Sequence, residues 1–156
     1  ITRSVGNNNN VYYACSTYKN RSRTACTMHS IKHNRLEAAV LFAVQQQVHL
    51  AVSYSEMIAR INTAPVKKSQ SIRLEELIAS KERELANGVK SEHPALVAFT
   101  KHQNIDQLSR ELLVELIDHI KVYENGNISV RFKFADEFRR IAEYIEINTT
   151  KPAVAG

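Results

Sequence analysis

Asn125-Gly126 constrains this chain more than any other pair of residues. It stands between two runs of alternating apolar residues, Ile120, Val122 and Tyr123 before it and Ile128, Val130, Phe132 and Phe134 after it. Asn and Gly both accept positive φ, so the pair predicts a tight turn and a β-hairpin spanning 120–134. Earlier in the chain the apolar period is different. Leu36, Val40, Leu41, Val44, Val48 and Val52 recur at three- and four-residue steps, which predicts a helix from about His33 to Ile61 or Asn62. Pro65 stops it, because the ring excludes a helical residue before it. Strand and helix periods in one chain give an α+β fold.

The remaining segments are read the same way. Gly6 and Asn7 to Asn10 predict a hairpin tip, and Val11, Tyr12, Tyr13 and Ala14 a strand leading into Cys15. Ser16 to Thr24 reads as a polar, basic loop ending near Cys26. Residues 63–71 read as a linker. Leu74, Leu77, Ile78, Lys81 and Leu85 mark an amphipathic arm of about two heptads, broken at Asn87-Gly88. Pro94 suits the first turn of a helix carrying Leu96, Val97 and Phe99. Ser109 is the expected N-cap of a helix over 109–119, with Leu112, Leu113, Leu116, Ile117 and Ile120 inward. Asp136 is expected to cap a last helix that buries Phe138, Ile141, Tyr144 and Ile145. The expected domains are 1–62, 63–93 and 94–156.

Charge is unevenly spread. Arg3, Lys19, Arg21, Arg23, Lys32 and Arg35 all precede Glu37, the first of the chain's 16 acidic residues. A cationic block without counter-charge attracts polyanions. A solvated surface loop is the other reading. No apolar run approaches the roughly 20 residues of a membrane span. The chain opens at Ile1 without a leader pattern, which predicts a piece of a longer protein.

Catalytic motifs are lacking. There is no G-x-S-x-G, no H-E-x-x-H spacing and no glycine-rich phosphate loop. Asp118-His119 are adjacent and read as a solvated pair. Cys15 and Cys26 are eleven residues apart, with His29 three further on. A structural zinc takes four soft ligands from two knuckles, and one knuckle's worth is visible. Buried thiols are an equal reading of the two cysteines. Lys121, Arg131 and Lys133 lie on the hairpin face away from Phe132 and Phe134. They read as the wet side of a lobe packed on helix 109–119, or as a surface facing DNA.

Tyr13-x-Cys15, the basic loop, Cys26-x-x-His29-x-Ile31 and the helix opening at Leu36-Glu37 resemble the second half of the zinc β-ribbon of large serine recombinases. These are the transposon and prophage integrases of bacterial mobile elements, in the resolvase/invertase superfamily. Asn104-Ile105, Leu108 to Leu113, Leu116-Ile117, Ile120-x-Val122-Tyr123 and the alternation from Ile128 to Phe134 resemble the small domain that ends one subgroup of them. The resemblance implies a partial zinc ribbon with a long helix, a shortened coiled-coil arm and a small C-terminal lobe. It implies a DNA-binding and subunit-pairing part of a site-specific recombinase, acting in the bacterial cytoplasm. The family's catalytic serine belongs to an N-terminal resolvase domain, so the catalytic residues expected in this chain are none. Cys15 and Cys26 become an incomplete metal site, with zinc expected in the full-length protein. Double-stranded DNA and other recombinase subunits become the expected partners. Arg3, Lys19, Asn20, Arg21, Arg23, Lys32 and Arg35 become the expected DNA-binding residues. Six cations on duplex DNA would give a slope of about −5 in log K against log salt, from roughly −0.9 per phosphate. A protein-pairing module built from the helix and arm is the alternative function.

Overall fold

The structure is a computed structural model of the whole chain. It describes residues 2–6, 10–20, 24, 27–63 and 90–149. The amphipathic arm, the linker after Thr63, Asn87-Gly88, Arg21, Arg23 and Cys26 all lie outside the described residues.

The fold is α+β, with a long helix and two small antiparallel sheets. Strands β1 (Thr2–Val5), β2 (Val11–Ala14) and β3 (Ser30–Lys32) form the first sheet in that order. The Gly6 N–H donates to the Asn10 carbonyl at 2.9 Å and closes the β1–β2 hairpin where the Gly/Asn run predicts it. Helix α1 (Ser16–Asn20) follows β2, and helix α2 (His33–Thr63) follows β3. Next come α3 (Pro94–Thr100), α4 (Arg110–Leu116), the hairpin β4 (Ile117–Val122) and β5 (Ile128–Phe132), and α5 (Ala135–Thr149).

Two compact units are each built from two stretches of chain. The first holds the described residues up to Val48 together with His102–Ala135. Its buried apolar residues are Ile31, Val40, Val44, Val48, Leu112, Leu116 and Ile117. The second holds His49–Thr63, the described residues up to Lys101, and those from Asp136 on. There Ala51, Ile58, Ala95, Leu96, Phe99, Phe138, Ile141 and Ile145 are buried. Phe99 meets Phe138 edge to face, with centroids 5.2 Å apart and planes at 86°. That arrangement sets the positive edge of one ring against the negative face of the other.

Helix α2 ends one residue past the expected boundary, and Val40, Val44 and Val48 are buried on the expected face. Three expectations need correction, and one strand, β3, was not expected. Ser16–Asn20 is a short helix, not loop. The Lys19 N–H donates to the Cys15 carbonyl at 3.2 Å, and a single turn carries no apolar period to announce it. β3 has three residues, too few for alternation to register. The helix expected over 109–119 ends at Leu116. At Ile117 the backbone is already extended, at φ −102° and ψ 130°. Ile117 and Ile120, three apart, fit a helical face and share a strand face only through the register irregularity between Ile117 and His119, and their β-branched side chains favour the strand. Finally, Asp136 lies inside the first turn of α5 rather than before it. It accepts from Arg139 Nη2 at 2.6 Å. A carboxylate there faces the positive end of the helix dipole.

Two other expectations hold. The Ser109 hydroxyl oxygen accepts from the Leu112 N–H at 3.1 Å as the N-cap of α4. Gly126 takes φ +78° in the β4–β5 turn.

Candidate nucleic-acid interface

Pairing register sorts the cations of the first sheet between its faces. Thr2, Arg3, Ser4 and Val5 stand opposite Ala14, Tyr13, Tyr12 and Val11, and Tyr12, Tyr13 and Ala14 stand opposite Lys32, Ile31 and Ser30. Side chains alternate along a strand, so Ser4, Tyr12 and Lys32 make one row on one face. Arg3, Tyr13 and Ile31 make the next row on the other face. Ile31 is 4% exposed, so its face is the one turned to the core.

Lys19 joins the Ser4 row. Its ammonium, on the last turn of α1, donates to the Ser4 hydroxyl. Lys19 and Lys32 therefore belong to the outer face of the sheet, and Asn20 is exposed beside Lys19. Arg3 is exposed on the opposite face. The register separates it from the two lysines.

The start of α2 gathers more positive charge. Lys32 precedes the helix, His33 and Arg35 lie in its first turn, and that turn contains no acid. A helix N-terminus is itself electropositive, so cations there are mildly unfavourable unless an anion joins them. Lys32, His33 and Asn34 line a depression of about 200 Å³ with Asn10 and Val11. Arg35 turns toward the β4–β5 turn, where a Cβ added at Gly126 would lie 3.7 Å from both of its terminal nitrogens. Neither Lys32 nor Arg35 has an ion pair among the described residues.

His33 is placed by Tyr13. The Tyr13 hydroxyl lies 3.4 Å from His33 Nδ1, and His33 Nε2 lies 3.6 Å from Glu37 Oε2. Below this pair, Tyr13, Leu36, Val40, Leu108, Leu113 and Ile120 line a largely apolar cavity of about 220 Å³. Sequence reasoning did not single out His33. No local sequence signal marks it, because its partner Tyr13 lies twenty residues away on β2.

The cysteine segment is partly described. The Cys15 N–H donates to the His29 carbonyl at 3.2 Å, which extends the β2–β3 ladder by a step and sets Cys15 opposite His29. His29 Nδ1 lies 3.0 Å from the Thr27 carbonyl oxygen. His29 is half-buried just before β3. A structural zinc needs four donors. The chain has two cysteines, and among the described residues no three His, Cys, Asp or Glu side chains gather to hold a metal ion. The described residues do not make up a zinc site by themselves.

Among the described residues, no helix is long and apolar enough to cross a membrane. No curated protein and no solved structure matches the chain. Residues 1–45, from β1 through the sheet into the first turns of α2, match the family model for the recombinase zinc beta ribbon domain. Over these residues the chain is similar to the zinc-ribbon part of a recombinase.

Proposed function

We propose that this chain is a DNA-binding piece of a site-specific serine recombinase, one that grips duplex DNA at the ends of a mobile element. The match of residues 1–45 to a recombinase ribbon is the observation that carries the proposal. The acid-free cationic run in that same segment supports it.

Lys19 and Lys32 on the outer face of the ribbon, with Asn20 beside them, would meet backbone phosphates. Arg35 and the electropositive start of α2 would meet others. Arg3, Arg21 and Arg23 would add charge from the other sheet face and from the segment after α1. Phosphate contacts of this kind set register and affinity but do not read bases. Zinc would belong to the ribbon of the full-length protein, where further donors join Cys15 and Cys26. The arm over residues 72–86 would pair recombinase subunits, and the protein would work in the bacterial cytoplasm on DNA.

The test is a mobility-shift titration of duplex DNA with the wild type and a Lys19→Ala, Lys32→Ala, Arg35→Ala variant. Weakened, less salt-sensitive binding by the variant supports the proposal. Identical binding by a folded variant overturns the ribbon as the DNA surface.

A further inference from the structure

We propose that the solvent face of the β4–β5 hairpin is a second DNA-backbone contact surface, separate from the ribbon. It rests on the reading of the chain as a DNA-binding piece but uses none of the ribbon's residues.

Register places the charges. His119 stands opposite Arg131 and Lys121 opposite Ser129, with the irregularity at Asp118 between Ile117 and His119. That irregularity keeps the buried Ile117 on the inner side and turns His119 outward. His119, Lys121, Ser129 and Arg131 therefore share one face. Directly opposed side chains lie about 5 Å apart, and Lys121 stands about 7 Å from His119 along the strand. Tyr123 continues the row, and these five residues, together with the apolar Val130, Phe132 and Ala135, line an open concavity of about 400 Å³. Cations, a hydroxyl and a phenol in one shallow trough suit a run of phosphate oxygens.

Charge balance separates the members. Asp118 is the acid beside this face. Its carboxylate lies 2.8 Å from His119 Nδ1 and 3.9 Å from Arg131 Nε. Lys121 has no ion pair among the described residues. Lys133 is excluded from the surface, because its ammonium donates to the Val114 carbonyl. The inner row of the hairpin, Ile117, Ile120 and Val122 on β4, is buried or half-buried. The charged face is thus not needed to complete the core.

The test uses the full chain and a labelled 30-base-pair duplex of arbitrary sequence, read by fluorescence anisotropy across a salt series. Lys121→Gln with Arg131→Gln is compared with the wild type and with Lys32→Gln plus Arg35→Gln. Thermal melting confirms that each variant is folded. The proposal expects the hairpin variant to bind roughly tenfold more weakly. Its salt slope should be smaller by about two, since each phosphate left unneutralised takes away roughly 0.9. It also expects Lys121 of the wild type to be protected from acetylation in the complex. Weaker binding by the hairpin variant alone upholds this surface and removes the ribbon from the account. Weaker binding by the ribbon variant alone, with Lys121 equally reactive bound and free, overturns the hairpin surface. Failure of the wild type to bind DNA overturns both surfaces, and protection of Lys121 by an acidic polypeptide but not by DNA overturns the hairpin surface.

Discussion

The ring of Tyr13 meets the ring of His33 edge-on, at a centroid distance of 5.8 Å and an interplanar angle of 64°. With the hydroxyl 3.4 Å from His33 Nδ1, this contact ties the middle strand of the ribbon to the first residue of α2. Tyr13→Phe keeps the ring and gives up only a long, exposed polar contact, so it should cost under about 1 kcal/mol. Tyr13→Leu also gives up the aromatic pairing, worth about 0.5–1.5 kcal/mol beyond burial. Urea unfolding of both variants checks this order, and equal costs would remove the ring pair from the account.

Gly126 holds φ +78° in the β4–β5 turn. An added Cβ would find ordinary contact distance, 3.7 Å, to the Arg35 guanidinium. The penalty for Gly126→Ala is therefore conformational rather than steric, about 1–2 kcal/mol. Gly126→Asn should recover part of it, because Asn tolerates the left-handed region. A melt in which Ala and Asn behave alike would contradict this.

Phe99 is fully buried against Phe138 in the second unit. Phe99→Ala should destabilise that unit by about 3–5 kcal/mol, from the transfer term plus an unfilled cavity. Hydrogen exchange reads the two units separately. The expected result is reduced protection in α3 and α5.

Ser109 caps α4 through its bond from the Leu112 N–H. Ser109→Ala should cost about 1 kcal/mol and Ser109→Asp close to nothing, by chemical denaturation.

Local chemistry explains why some of this was legible in the sequence. Asn125-Gly126, Ser109 and the α2 face each act over a few residues, and each stands where expected, as do the buried Phe138, Ile141 and Ile145. Short elements were not legible. Ser16–Asn20 is a single turn closed by the Lys19 N–H to Cys15 carbonyl bond, and Ser30–Lys32 is set by the β2–β3 ladder to residues far away in sequence. The helix-to-strand change at Ile117 escaped because an apolar run with spacings of one, three and four fits the helical period, and the irregularity that puts Ile117 and Ile120 on one strand face has no sequence signature. Long-range grouping was also hidden: nothing in residues 102–135 says that they join the ribbon's unit. For the cationic site, composition showed the charge, but only the register showed that Lys19 and Lys32 share a face that Arg3 does not.

The salt dependence of duplex binding by the unmodified chain bears most directly on the central claim. Equilibrium titrations with a labelled duplex, from dilute buffer to about 0.2 M salt, should give binding that weakens linearly in log K against log salt. A slope of about −3.6 or steeper is expected, as if four or more phosphates were neutralised at roughly −0.9 each. Absence of binding in dilute buffer, or binding indifferent to salt, would contradict the account.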